Sequence, residues 1–255
     1  MREWQHVEVS GDDVVTRITL NRPDRRNALS VELMTELTEA LRAAEGQVVV
    51  IGAAGPAFSA GHDLSELQAA DGEDAERIFG VCTELMTTVQ SIDQPVIARV
   101  HGVATAAGCQ LVASCDLAVA EDGARFATPG VRIGLFCSTP MVPLSRAIGP
   151  KRALEMLFTG ELVDAATALD WGLVNRVVPL DELDAAVTAL ATKIAEASPM
   201  VLAMGKRTFY AQQALDQRGA YDVAGATMCA NLGTEDAKEG IGAFLGKRTP
   251  TWVGR

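Results

Sequence analysis

Along the first two thirds of the chain, short apolar runs alternate with longer segments whose apolar residues recur every three or four positions. Residues 14–20 carry the β-branched Val15, Thr16, Ile18 and Thr19 and read as a strand. Val48-Val49-Val50-Ile51 is a continuous apolar run closed by Gly52 and a Gly55-Pro56 turn, the pattern of a strand buried on both faces. Residues 96–100, behind Pro95, and residues 117–120 supply two more strands. Between them, Leu33, Leu37 and Leu41 form one stripe behind Ser30, a residue suited to capping a helix, with Glu32 near the positive end. A further helix is expected around residues 78–89, after a polar, mobile lead-in at 71–76. Strands alternating with helices predict βα units and a largely parallel sheet. From Lys151 onward helical spacing dominates, at 153–158, 165–171, 183–197, 201–214 and 236–245, with one strand-like piece at 173–178. The pattern therefore predicts an N-terminal α/β core followed by a helical C-terminal region.

Composition narrows the class. A chain of 255 residues with 48% hydrophobic content can build one large core. Its net charge of −11, from 22 basic and 33 acidic residues, argues against nucleic-acid binding, which favours a basic face. Five cysteines, odd in number and without a CxxC pair, suggest neither a zinc site nor a disulfide framework, so no metal is expected and a reducing, cytoplasmic compartment is the simplest reading. The opening residues 1–6 lack the apolar core of a signal peptide, and no apolar run approaches the roughly 20 residues of a membrane span, so a soluble protein away from membranes is expected. The chain has no GxGxxG, GxxxxGK[ST] or GxSxG motif, which removes support for dinucleotide, P-loop and serine-hydrolase chemistry.

Two small-residue turns carry the candidate chemistry. Ala57-Phe58-Ser59-Ala60-Gly61-His62-Asp63-Leu64 follows the 48–51 strand, and Thr105-Ala106-Ala107-Gly108-Cys109-Gln110 follows the 96–100 strand; each leads into an expected helix. Two such turns can aim two backbone N–H groups at one point, the geometry that holds a carbonyl oxygen as negative charge gathers on it.

These turns, with Leu20-Asn21-Arg22-Pro23, Asn27-Ala28-Leu29-Ser30, Val100-His101-Gly102, Phe126-Ala127-Thr128-Pro129 and Phe158-Thr159-Gly160, resemble the crotonase, or enoyl-CoA hydratase/isomerase, superfamily across residues 14–247. Residues 102–120 and Gly134-Leu135-Phe136-Cys137-Ser138-Thr139-Pro140 are similar to the enoyl-CoA hydratase domain-containing protein 3 group. The resemblance implies an α/β crotonase-like spiral of ββα turns over residues 1–195 with a helical C-terminal oligomerisation region over 196–255, assembled as a homotrimer or a dimer of trimers. It implies an acyl-CoA thioester as substrate in fatty-acid metabolism, with coenzyme A carried by the substrate and no separate cofactor. The oxyanion donors carried over are the N–H groups of His62 and Ala107; the family usually has Gly at the second, but the amide is common to both residues. For coenzyme A the resemblance implies Arg25, Arg26 and Ala28 beside the pantetheine and phosphates, Ala60, Asp63 and Leu64 on the adenine side, and Phe244 and Lys247 reaching a neighbouring subunit's ligand.

The acid–base positions depart from the family. Its two glutamates correspond here to Gln110 and Gly130, and an alternative acidic position to Ser138. Hydration needs a carboxylate to activate water and an acid to protonate the α-carbon. The expectation is therefore an enolate-stabilising enzyme with little ordinary hydratase activity or, as the alternative, a non-catalytic acyl-CoA-binding or regulatory member. The His62 side chain is the best-placed candidate substitute, although a structural or ligand-shaping role is the favoured reading for it. Asp63 is expected to cap a helix, Glu66 to reach the pocket mouth or a solvated helix face, His101 to make a buried hydrogen bond, Asp116 to satisfy a turn, and Cys109 and Cys137 to pack.

Overall fold

The computed structural model describes residues 4–255; residues 1–3, which begin the stretch read for a leader, lie outside the described residues. In chain order the core consists of β1 (Val7–Gly11), β2 (Val15–Leu20), α1 (Val31–Arg42), β3 (Val48–Ala53), α2 (Leu64–Ala69), α3 (Gly72–Ser91), β4 (Val96–Val100), β5 (Val103–Thr105), α4 (Ala107–Ser114), β6 (Leu117–Glu121) and β7 (Arg125–Ala127). Then follow α5 (Ser138–Ala147), α6 (Pro150–Thr159), β8 (Val163–Asp164), α7 (Ala165–Trp171), β9 (Arg176–Val178), α8 (Leu183–Ala195), α9 (Pro199–Gln212), α10 (Gln217–Leu232) and α11 (Glu235–Leu245).

The main sheet has the order β1-β2-β3-β4-β6-β9, antiparallel only at the β1 edge. The continuous apolar run of β3 divides by strand alternation. Val49 and Ile51 face a core shared with Leu33, Leu37 and Leu41 of α1 and Leu85 of α3. Val48 and Val50 face Leu183, Val187 and Ala191 of α8 on the other side. A sheet covered on both faces explains why its strands lack a polar face. A second sheet, β5-β7-β8, branches from the first where β4 passes into β5.

Several helices start where the sequence supplies a side-chain cap. Ser30 accepts from the Leu33 N–H at α1. Residues 71–76 depart from the expected mobile lead-in: the Asp71 carboxylate accepts from the Glu73 and Asp74 amides, so α3 begins at Gly72. The strand expected at 173–178 is confined to Arg176–Val178. Strands β1, β5, β7 and β8 and helices α5 and α10 were not expected from the pattern.

The final three helices bury little of themselves. Among the described residues α10 has no buried residue, and Tyr221, Met228, Leu232, Phe244 and Leu245 are exposed. One buried ion pair ties α9 to the core: the Lys206 ammonium sits 2.7 Å from Asp116 and donates to the Val89 and Gln94 carbonyls at 2.8 Å. Asp116 also accepts from the Val96 amide and the Tyr210 hydroxyl, so it closes more than the expected turn.

Candidate functional site

The two small-residue turns meet. Ser59 donates to the Val103 carbonyl at 3.1 Å and accepts from the Thr105 amide at 2.9 Å, stitching the loop after β3 to β5. A Cβ added to Gly61, whose φ is +94°, would lie 2.8 Å from the Ala106 Cβ and 3.3 Å from the Ala107 nitrogen; one added to Gly108 would lie 2.4 Å from the Ser59 carbonyl oxygen. Smallness here serves the approach of the loops to each other as well as access for a ligand.

Each candidate amide is left without a partner by the way its loop is held. Leu29 bridges His62 in parallel, donating to the Gly61 carbonyl at 2.7 Å and accepting from the Asp63 amide at 3.3 Å. In such a bridge the N–H of the residue opposite points away from the partner strand, so the His62 amide is turned outward. Ala107 opens α4, where the first N–H groups have no intrahelical acceptor. Among the described residues neither amide has a hydrogen-bond acceptor. Ala106, just before, holds φ at 50°, a strained conformation for a residue with a Cβ and one that directs the chain into the helix.

Both residues line one cavity of about 500 Å³. Its far wall is the segment from Pro129 to Pro140, with Leu64, Leu67 and Phe79 closing the side. Among its lining residues there is no aspartate or glutamate. Gly130 and Ser138 line it, whereas Gln110 does not. Gln110 is buried one turn into α4, where its Oε1 accepts from the Cys82 thiol at 3.7 Å. Gly130 is locked into its loop: its N–H donates to the Cys137 sulfur at 3.4 Å and its carbonyl accepts from the Leu135 amide at 2.9 Å. The Ser138 hydroxyl donates to the Phe136 carbonyl at 3.4 Å.

The nearest carboxylates are committed elsewhere. Asp63 caps α2 by accepting from the Ser65 amide at 3.1 Å and from the Ser65 hydroxyl, and lies 3.4 Å from the Arg22 guanidinium. The Ser65 hydrogen bonds, with Arg22 assisting, hold its carboxyl below the ordinary range. Glu66 faces neither solvent alone nor the cavity mouth; its Oε2 accepts from the Val31 amide at 3.0 Å and completes the cap of α1. His101 has both ring nitrogens engaged: Nε2 donates to the Gly55 carbonyl at 2.7 Å and Nδ1 accepts from Arg99 at 3.2 Å. The thiols pack as expected. Burial, with Cys137 adding to it, pushes Cys109 up to about 12, and burial raises Cys137 as well.

Of the residues assigned to coenzyme A, Arg25 and Arg26 are exposed on a turn whose Arg26 carbonyl accepts from the Ala60 amide at 3.0 Å, so Arg25, Arg26, Ala28 and the Ala60–His62 loop adjoin. Ala60 and Leu64 also line the cavity. Phe244 and Lys247 stand exposed at the end of α11 and are not among its lining residues. Sequence reading missed Phe79, Leu67, Arg132 and Ile133 as lining residues. Phe79 carried no motif, and only its place on the inward face of α3 brings it there.

Comparison with known proteins agrees with this geometry. The family model for enoyl-CoA hydratase/isomerase matches residues 11–255. The chain is 50% identical over 245 residues to mouse enoyl-CoA hydratase domain-containing protein 3, mitochondrial, covering 94% of this chain and 82% of that one. A crystal structure of an enoyl-CoA hydratase from Mycobacterium smegmatis superposes with a TM-score of 0.94 at 49% identity, covering 97% and 99% of the two chains. That of human enoyl coenzyme A hydratase domain-containing protein 3 gives 0.93 at 45% identity, covering 97% and 100%. The mitochondrial name of the mouse relative overturns the cytoplasmic expectation. Unpaired thiols report a reducing environment and do not distinguish one such compartment from another. On sequence and fold, the chain belongs to the enoyl-CoA hydratase/isomerase family and has the crotonase fold.

Proposed function

We propose that the cavity takes the acyl end of an acyl-CoA thioester, with the thioester oxygen between the amides of His62 and Ala107, and that the site stabilises an enolate without performing ordinary enoyl hydration. One observation carries this reading: His62 and Ala107, whose amides have no acceptor among the described residues, both line an apolar cavity that no carboxylate lines among those residues. A positioned acid or base contributes about 10²–10⁴ to a rate, and an oxyanion hole cannot supply that proton transfer. Coenzyme A arrives as part of the substrate, its phosphates near Arg25 and Arg26, with no separate cofactor. Binding without chemistry is the second reading, favoured by the same lack of carboxylates. The exposed apolar residues of α10 and α11 support self-association as a homotrimer or a dimer of trimers, in which Phe244 and Lys247 would meet a neighbour's ligand.

Calorimetry with butyryl-, hexanoyl- and decanoyl-CoA tests binding, and a steady-state assay with crotonyl-CoA tests hydration. Binding with negligible hydration is expected. Absence of binding sinks the acyl-CoA reading, and crotonyl-CoA turnover near the roughly 10 s⁻¹ typical of enzymes overturns the claim about chemistry.

A further inference from the structure

Two side-chain hydroxyls grip the loop that carries the His62 amide. Ser59, on the loop after β3, is fully buried; its hydroxyl donates to the Asn27 carbonyl at 2.8 Å and accepts from the Gly61 amide at 3.2 Å. Thr105, at the end of β5, donates from its Oγ1 to the Ala60 carbonyl at 3.1 Å. The Ala60 carbonyl and the Gly61 amide belong to one planar peptide group. That peptide is therefore held on both sides, by a hydroxyl from its own loop and by one from the turn that leads to Ala107.

The next peptide along is the one that bears the His62 N–H. Its carbonyl, that of Gly61, accepts from the Leu29 amide at 2.7 Å. In a trans peptide the carbonyl and the following N–H point in opposite directions, so the His62 N–H faces away from Leu29. The joint between the two peptides is Gly61, at φ +94° and without a Cβ to restrict its rotation. Leu29 fixes the peptide after this joint, and the Ser59 and Thr105 hydroxyls fix the peptide before it. Main-chain pairing of the loop with β5 runs through Ser59, which bridges Ala104. The Thr105 hydroxyl carries the attachment one residue further, to Ala60, where the loop has left the strand. Thr105 also stands two residues before Ala107, across the strained Ala106, so its bond ties the spacing of one turn to the other.

Resting on the acyl-CoA reading, we propose that Ser59 and Thr105 are positioning residues of the oxyanion site. Their hydroxyls orient the Ala60–Gly61 peptide and through it the His62 amide, so that this donor and the Ala107 amide meet one thioester oxygen. Neither residue lines the cavity, so each acts through the backbone and not on the ligand. Removing either hydroxyl leaves both donors in the chain and loosens their relative aim. A donor off its line costs little while the oxygen belongs to a neutral carbonyl. It costs much once negative charge gathers there, because hydrogen bonds to a charged acceptor are the stronger ones. A purely structural role predicts another pattern, in which all acyl-CoA ligands are weakened alike.

The test compares two ligands of similar length. Butyryl-CoA offers a neutral thioester oxygen. Acetoacetyl-CoA, whose central methylene ionises readily, offers the same oxygen with negative charge when bound as its enolate. Calorimetry gives the affinities and ultraviolet absorbance the bound enolate, for wild-type protein, Ser59→Ala and Thr105→Val, the valine being suited to a strand. The ratio of enolate affinity to butyryl-CoA affinity should fall about tenfold or more in each variant, while butyryl-CoA binds nearly as before. A wild-type ratio in either folded variant, or a loss shared equally by the two ligands, overturns the proposal. A wild-type protein that binds no acyl-CoA, or binds butyryl-CoA without favouring the enolate, sinks the underlying reading and the proposal with it. Should the buried Ser59→Ala change prevent folding, Thr105→Val, at a half-buried position, decides.

Discussion

The two walls of the cavity are built from different material. On one, the amides of His62 and Ala107 are set by a parallel bridge and by the start of α4. On the other, residues 129–140 act through their side chains and their path. A backbone N–H is common to every residue except proline, so the first wall keeps its two donors whichever small residue stands at position 107. The second depends on residue identity, and none of its lining residues is an aspartate or glutamate. Donating hydrogen bonds and moving protons are separable properties of one site; the first can be supplied by the main chain and the second needs a side chain.

The sharpest way to break that contrast is to remove a main-chain donor without removing the helix it starts. Proline is accepted at the first position of a helix because its missing N–H has no intrahelical partner, and Ala107 occupies that position. Ala106 precedes it at φ 50°, so the change is best made together with Ala106→Gly, which relieves the strain. Relative to Ala106→Gly alone, the Ala106→Gly/Ala107→Pro pair should lose about 10²–10³ in affinity for the acetoacetyl-CoA enolate, the usual cost of one oxyanion donor. Thermal unfolding close to that of Ala106→Gly would show that the fold persists. Affinity equal to that of the single variant would mean that the Ala107 amide does not meet the thioester.

The opposite wall should respond in stability. A Cβ at Gly130 would lie 2.3 Å from the Leu135 carbonyl oxygen and 2.8 Å from the Cys137 sulfur. Gly130→Ala should therefore cost about 1–3 kcal/mol as overpacking, a fall in Tm of about 2–4 °C for each kcal/mol in a chain of this size. Gly130→Glu meets the same obstacle at its first carbon, so it should disturb the wall before it offers a carboxylate. A Gly130→Ala protein as stable as wild type would show that the 130–137 loop yields easily, and installing the acid there would become a fair route to hydration.

What was legible follows the same division. The parallel core was readable because burial on both faces forces apolar runs such as Val48 to Ile51, and the caps at Ser30 and Asp63 because their side chains bond locally. The paired turns were readable because close approach demands small residues at Gly61 and Gly108. The acid–base positions, Gln110 in α4 and Gly130 and Ser138 on the far wall, were legible only as residues without a carboxylate. That Gly130 sits where a Cβ collides with Leu135, and that Gln110 turns to Cys82 away from the cavity, depends on contacts between segments that no local pattern records. Helix α10 escaped for a related reason: with no buried residue, it has no apolar stripe imposed by this chain. Phe79 became visible only once α3 was placed against the loop after β3.

The smallest effect concerns Asp63, the carboxylate that follows His62 in the chain. Asp63 fixes the turn that carries His62, through Ser65 at the start of α2 and Arg22 at 3.4 Å. Its folded-state pKa is depressed by the Ser65 hydrogen bonds first and by Arg22 after them. A depressed carboxylate contributes stability above its unfolded pKa of about 3.9 and loses it as pH falls through the folded value. Asparagine caps helices about as well as aspartate, so Asp63→Asn removes the charge and keeps the cap. At neutral pH the variant should be less stable by about 1 kcal/mol, the scale of a carboxylate at a helix N-terminus. The gap in Tm between variant and wild type should hold from pH 8 to pH 5 and close as pH drops below about 4. A gap that persists unchanged into acid would mean that the charge contributes nothing and that this carboxylate is available for some other task, which would weaken the contrast between a wall made of amides and a wall without acids.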